Sequence, residues 1–407
     1  MKTYKIHTLA NGLRIVHLPQ KSAVSYCGVI VNTGSRDEND DEYGMAHLIE
    51  HMLFKGTEKR KSAQIIERLE SVGGEMNAYT SKEETVVYAA FLRKYTERAV
   101  ELIADVILHS IFPKEELKKE IVIVQDEIQS YNDSPSELIF DDFEELLFDS
   151  NSMAHNILGT KKHLKSFTSE KLNSFFKTHY VPSEMVFFSV GDVKFDKLIN
   201  LCETYFDTSD PQLYVSKRIT PIIQPLPYKT IKRKTNQVHC LIGNEAYSFH
   251  HQDRIALYLL NNILGGPGMS SLLNLSLREK HGLVYTVESN YQPFTDTGWW
   301  AVYFGTDPEN AEKCEKLVKD ELMKLCSAQL SDKKLKQYKV QLMGQMAISS
   351  ENKENMALSL GKSILRYGKF DTLDEIKEKI NKITAKQLLR VANEIFNVEK
   401  LHILKYI

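Results

Sequence analysis

The stretch Gly44 to Thr57, GMAHLIEHMLFKGT, limits what this chain can become more than any other, because it asks for a helix with chemistry along one face. It holds His47, Glu50 and His51 in the pattern H-x-x-E-H. Two histidines four apart on a helix share a face, so both imidazoles can reach one cation, and imidazole nitrogen suits zinc. Glu50 follows His47 by three residues and falls close to that face. A carboxylate there can take a proton from water beside a metal without being a ligand. Met45, Leu48, Ile49, Met52 and Leu53 are placed to face a core. A single histidine among them would usually be a satisfied core residue; the pair with an intervening Glu points to metal.

A catalytic zinc takes three protein ligands and leaves one position for water. Candidates for the third lie in PKEELKKEIVIVQDEIQSY, residues 113 to 131. Pro113 suits the first turn of a helix, and Glu115 and Glu116 suit its positive end. Glu120 and Glu127 are two turns apart on one face, beside an apolar stripe of Ile121, Val124 and Ile128. A carboxylate in that setting is paired, solvated at the rim or bound to metal, and spacing alone leaves the three open.

At 407 residues the chain is long for one core and comfortable for two. Lys plus Arg number 52 and Asp plus Glu 54, a net charge of −2, which argues against a nucleic-acid partner. Cys27, Cys202, Cys240, Cys314 and Cys326 are scattered, odd in number and form no C-x-x-C pair, as expected of reduced, mostly buried thiols in a cytoplasmic setting. The N-terminus, MKTYKIHTLANGLRIVHLPQ, has no apolar leader and no transit-peptide character. No apolar run is long enough to span a membrane.

Strands are expected at Tyr4 to Leu9, Leu13 to Leu18 and Ser25 to Thr33, the first two around an Asn11-Gly12 turn. Gly34 to Tyr43, GSRDENDDEY, reads as a solvated acidic loop. After the histidine helix come a helix from Ser62 to Val72, a strand pair at Glu75 to Thr80 and Thr85 to Leu92, and long helices near Tyr95 to Ser110, Lys114 to Ser130 and Ser136 to Phe148. His155 to Gly159 reads as a loop with a structural histidine. A strand at Val186 to Val190 and a helix near Phe195 to Phe206 close residues 1–208. Four prolines in residues 209–228 mark a linker. The order of elements then repeats over residues 229–407, including helices at Gln252 to Leu264 and Ser271 to Lys280 and strands at Val284 to Tyr291 and Trp299 to Gly305. Antiparallel strands with segregated helices make both halves α+β and suggest a duplicated fold. GGPG at residues 265–268 lacks the G-K-[ST] of a phosphate loop.

The stretch from Gly34 through Thr57 resembles the signature of the pitrilysin-type (M16) zinc metallopeptidases, in which H-x-x-E-H is the metal-binding pattern. In that family a Glu ligand follows the second histidine by about 76 residues, and Glu127 follows His51 by 76. The resemblance therefore implies His47, His51 and Glu127 as ligands of one Zn²⁺ per chain, Glu50 as general base, and Glu120 as the acidic residue that supports the histidines. It implies two similar domains of the LuxS/MPP-like metallohydrolase fold. Asn77, Ala78, Tyr79 and Thr80 match the edge strand that pairs with peptide substrate. Arg278 and Tyr285, an Arg and a Tyr seven apart in the second half, match the pair that binds the substrate carbonyl and its developing oxyanion. The length is like the branch that includes mitochondrial processing peptidases and their bacterial relatives. A zinc endopeptidase is then expected, acting on extended peptides or unfolded segments inside a chamber. The partner would be an identical chain whose Arg278 and Tyr285 complete the site in trans. A non-catalytic peptide-binding subunit and a dedicated precursor-processing peptidase are the alternatives.

Overall fold

The computed structural model describes residues 4–149, 151–207, 218–223 and 228–407. The linker read at residues 209–228 falls largely outside them. In chain order the elements are β1 (Lys5–Thr8), β2 (Arg14–Pro19), β3 (Val24–Val31), α1 (Met45–Met52), α2 (Ser62–Glu70), β4 (Glu75–Thr80), β5 (Thr85–Leu92), α3 (Thr96–Leu108), α4 (Lys114–Asn132), α5 (Pro135–Leu147), α6 (Lys161–Ser166), α7 (Ser169–His179), β6 (Met185–Gly191) and α8 (Phe195–Tyr205). There follow β7 (Lys229–Ile231), β8 (Val238–Glu245), α9 (Arg254–Gly265), a π-helical turn (Asn274–Glu279), β9 (Val284–Pro293), β10 (Gly298–Thr306), α10 (Ala311–Ser327), α11 (Asp332–Ser349), α12 (Lys353–Tyr367), α13 (Leu373–Lys382), α14 (Ala385–Ile395) and β11 (His402–Tyr406). Among the described residues, no helix is long and apolar enough to cross a membrane.

Two sheets organise the chain. The first runs β1-β2-β6-β3-β5-β4 and the second β7-β11-β8-β10-β9. In each, one parallel pair (β2 with β6, β7 with β11) sits among antiparallel neighbours. With β1 set aside, the five strands of each half take the same spatial order, so the α+β fold is duplicated. Side chains alternate across both sheets, as the two-residue period of a strand requires. In β6, Met185 and Phe187 join the core under α1 and α3, while Val186, Phe188 and Val190 face the opposite side. In β10, Trp300, Val302 and Phe304 face one core and Trp299, Ala301 and Tyr303 the other.

The compact units are not continuous in sequence. The first comprises Met1–Gln129, His155–Arg218 and Ser349–Thr372; the second Ser130–Ala154, Ile219–Ile348 and Leu373–Ile407. Each unit thus takes one helix from the other half of the chain. In the first, α12 covers the sheet face of Val16, Ile30, Val186 and Phe188 with Ala357, Leu360 and Ile364. In the second, Ile139, Phe143 and Leu147 of α5 cover Leu241, Ala301 and Leu404. Glycines permit both approaches. A Cβ on Gly361 would stand 2.7 Å from Phe188 Cδ1, and one on Gly243 would stand 2.8 Å from Phe143 Cζ.

Three local expectations change. Residues 34–43 are not a solvated loop throughout: Ser35, Arg36 and Glu38 are buried, Arg36 pairs with Glu83 at 2.6 Å, and Arg218 holds Asp37 at 2.8 Å. Helices α6 and α7 fill a stretch without an assigned element, and their caps are visible in the residues, since Thr160 accepts from the His163 amide and Thr168 from the Lys171 amide. The helix expected over Ser271 to Lys280 is instead a π-helical turn. The Lys280 N–H donates to Leu275 O at 3.0 Å, five residues back, before Gly282 turns the chain with φ +62°. The five cysteines are free, four of them buried.

Candidate metal centre

Helix α1 enters through Gly44, whose φ of +93° favours glycine. The buried Glu38 carboxylate accepts from Gly44 N at 3.0 Å and Ala46 N at 2.8 Å, satisfying amides that the first turn leaves without partners. Met45, Ala46, Leu48, Ile49 and Met52 are buried in the first core. With that stripe fixed by packing, His47, Glu50 and His51 are left on the remaining face. Helix α4 is held likewise by buried Leu117 and Val124, which brings Glu120 and Glu127 toward α1.

His47 Nε2 lies 3.9 Å and His51 Nε2 3.7 Å from Glu127 Oε2. One ligand atom from each of the three residues lies within 4.8 Å of the others. Zinc bound tetrahedrally at about 2.1 Å holds its ligand atoms about 3.4 Å apart, and both nitrogens lie within about half an ångström of that separation from Glu127 Oε2. Glu120 makes different contacts. Its Oε2 lies 3.1 Å from His51 Nδ1 and its Oε1 2.7 Å from Lys55 Nζ. A carboxylate at Nδ1 keeps the proton there and leaves the Nε2 lone pair facing Glu127. The ambiguity that spacing left between the two glutamates is thereby resolved in geometry: Glu127 faces the open nitrogens, and Glu120 backs one ring. Burial, with His51 beside it, pushes the His47 pKa down to about 3, so at neutral pH its ring is neutral and able to ligate.

Glu50 does not join the trio. Burial raises its pKa, while hydrogen bonds from Thr80 oppose the shift. The Thr80 hydroxyl donates to Glu50 Oε2 at 2.9 Å. A partly buried carboxylate beside a metal-ligating trio is placed to accept a proton. The Thr80 contact was not foreseen in the sequence, where a threonine at the end of a strand carries no such signal.

Asn77, Ala78, Tyr79 and Thr80 lie in β4, opposite Tyr88, Val87, Val86 and Thr85 of β5. β4 ends the sheet, and among the described residues its other edge has no strand partner. Beyond Thr80 the turn closes with Ser81 N–H on Glu84 O at 2.8 Å. Antiparallel alternation then turns the main-chain groups of Thr80 and Ala78 away from β5. The Tyr79 side chain points to the opposite face, where Lys362 Nζ sits 5.0 Å from its ring centroid.

Arg278 and Tyr285 belong to the second unit and lie together, the guanidinium 5.2 Å from the tyrosine ring centroid. They line a cleft of about 560 Å³ with Asn262, Asn274 and a run of β9 residues. Tyr285 is 80% exposed, and Arg278 lies in the π-helical turn, one residue before its end. His155 is no part of the metal trio: its ring stacks on Tyr43 at 3.5 Å and its carbonyl accepts from Lys82.

The chain is similar to known proteins along most of its length. The sequence profile described as insulinase (peptidase family M16) matches residues 14–161, and that of the peptidase M16 inactive domain matches residues 166–342. The chain is 33% identical over 398 residues to the uncharacterized zinc protease YmxG of Bacillus subtilis, covering 96% of this chain and 95% of that one. It is 28% identical to the mitochondrial-processing peptidase subunit beta of Bos taurus, covering 96% and 81%. A protease from Helicobacter pylori has the same fold, with a TM-score of 0.91 over 99% of both chains at 23% identity. So does the peptidase M16 inactive domain structure from Pseudomonas fluorescens, with a TM-score of 0.92 at 21% identity over 99% of this chain and 97% of that one. With its histidine pair, its glutamate and its duplicated sheets, this chain belongs to the M16 family of zinc proteases.

Proposed function

We propose that the protein is a zinc-dependent endopeptidase that hydrolyses extended peptides or unfolded segments, with His47, His51 and Glu127 holding one Zn²⁺ per chain. The observation that carries this reading is the convergence of two imidazole nitrogens and one carboxylate beside Glu50, a carboxylate kept out of the trio. When bound, zinc supplies a Lewis acid that polarises the scissile carbonyl and acidifies water. Glu50 takes the proton of the attacking water and returns it to the leaving amine. The free edge of β4 receives the peptide as an added strand through main-chain groups of Ala78 and Thr80, which gives affinity with little demand on side chains. Arg278 and Tyr285 stabilise the charge that develops on the carbonyl oxygen. They act across a closed two-fold homodimer, each chain completing the other's site and enclosing a chamber.

Digestion of a peptide mixture with and without chelator, read by mass spectrometry, tests the activity. Glu50→Gln should keep zinc and lose turnover by about 10²-fold or more; near wild-type cleavage would remove Glu50 from the role of base. His51→Ala should lose the metal, and full zinc occupancy in that variant would overturn the ligand set. For the dimer, Glu50→Gln chains are mixed with Tyr285→Phe chains under conditions that allow exchange. Sites shared in trans regain activity in heterodimers. No recovery, with exchange verified by native mass spectrometry, would mean a site built within one subunit.

A further inference from the structure

We infer that Thr80 is a positioning residue for Glu50: its hydroxyl fixes the orientation of the carboxylate through a hydrogen bond to Oε2. This rests on Glu50 being the base. Thr80 Oγ1 lies 2.9 Å from Glu50 Oε2 and 3.5 Å from Thr85 Oγ1. The Thr85 hydroxyl donates to Thr33 O at 2.9 Å, so its single proton is committed and its oxygen is left to accept. Thr80 also has one proton. While Glu50 is a carboxylate, that proton belongs on Oε2, the nearer and charged acceptor. The Thr80 hydroxyl thus ties Glu50 Oε2 to the end of β4, beside a Thr85 hydroxyl that is itself tied to Thr33 O. Thr85 is fully buried and Thr80 partly so, where a polar group left without a partner is most costly.

The placement has a second effect. Thr80 is the last residue of β4, and by alternation its main chain lies on the edge that would pair with substrate. One residue thus holds the base and ends the strand against which the peptide is registered. A peptide paired to β4 has its scissile bond referred to Glu50 through a single Cα rather than through two separate elements.

The test uses full-length protein and a fluorogenic peptide taken from the digestion experiment. Thr80→Val keeps the shape and removes the hydroxyl; Thr80→Ser keeps the hydroxyl. Thr80→Val should lower kcat about 10- to 100-fold, the range for a hydrogen bond to a charged group, with KM, zinc content and melting midpoint near wild type. Thr80→Ser should recover to within about threefold. In a Glu50→Gln background, Thr80→Val should reduce the residual rate no further, because the group it serves is gone. Unchanged kcat in Thr80→Val, a loss confined to KM, or an equal loss in both backgrounds would overturn the inference. If Thr80→Val fails to fold or to hold zinc, Thr80→Ala is the second hydroxyl-free variant read against the same criteria. A fully active Glu50→Gln enzyme would instead overturn the proposed function itself, so the two failures are distinct.

Discussion

Replacing Glu120 by Gln separates what the carboxylate does for the metal from what it does for the fold. Glu120 is 3% exposed and touches two donors, His51 Nδ1 at 3.1 Å and Lys55 Nζ at 2.7 Å. A glutamine of the same shape offers one oxygen and one NH₂ group, so it can satisfy only one of them. If the oxygen faces His51, the ring keeps its proton on Nδ1 and loses only the charge behind it. If the NH₂ faces His51, the ring must move its proton to Nε2, the nitrogen turned toward Glu127, and that nitrogen can no longer ligate. Loss of such a supporting partner typically weakens metal binding by about 10- to 100-fold, or roughly 1.4–2.8 kcal/mol, and the second orientation lies at the upper end. Competition for zinc against a chromophoric chelator measures this directly. At saturating zinc, peptide turnover should return to within about tenfold of wild type, because the Glu120 carboxylate contacts His51 and Lys55 and not Glu50. Zinc affinity equal to wild type in both Glu120→Gln and Glu120→Ala would refute the argument that Glu120 sets the His51 tautomer.

Other perturbations bear on the fold and on substrate recognition. Gly361→Leu would drive a Cβ to 2.7 Å from Phe188 Cδ1 and 2.8 Å from Ile30 Cδ1, and should lower stability by about 1–3 kcal/mol in urea unfolding; no loss would mean that α12 is not seated as described. His17, fully buried, has its pKa pushed down to about 4 by burial. Between pH 6.5 and 4 the unfolded chain binds a proton that the folded chain refuses, so the contribution is complete above about pH 6.5 and is lost as pH falls toward 4. His17→Phe should remove a stability change of about 3 kcal/mol across that window, and identical pH slopes for both proteins would count against it. N-methylation of substrate amides near the scissile bond should weaken binding more than exchange of outlying side chains; equal affinities would point to side-chain pockets instead.

The strand pair β4 and β5 was legible to the residue, because β-branched and aromatic residues run between clear turn signals. So was the histidine helix, whose apolar stripe and ligand face follow from one periodicity. The choice between Glu120 and Glu127 was not legible in periodicity, since both occupy one face of α4 and differ only in which imidazole nitrogen they meet. Residues 34–43 misled because charge was taken for solvation, whereas Arg36, Asp37 and Glu38 are spent on ion pairs and on capping α1. The destinations of α5 and α12 could not be read at all. Each is an ordinary amphipathic helix, and nothing in its own pattern says which of two similar sheets it will cover. The nearest clues are Gly243 and Gly361, and a glycine becomes a clue only when its neighbour is known.

The exchanged helices give the protein a timetable. The last strand of the first sheet, β6, ends at Gly191, but the helix that covers one face of that sheet ends only at Tyr367. At about 5–20 residues per second, a ribosome takes roughly 10–35 s between those points. Throughout that interval Val16, Ile30, Val186 and Phe188 form an open apolar face on a nascent chain, with α5 waiting as well for strands not yet made. Such a face is what chaperones bind and what neighbouring nascent chains adhere to. Translation speed over residues 192–367 therefore becomes a determinant of yield, and pauses there should harm this protein more than pauses before Gly191.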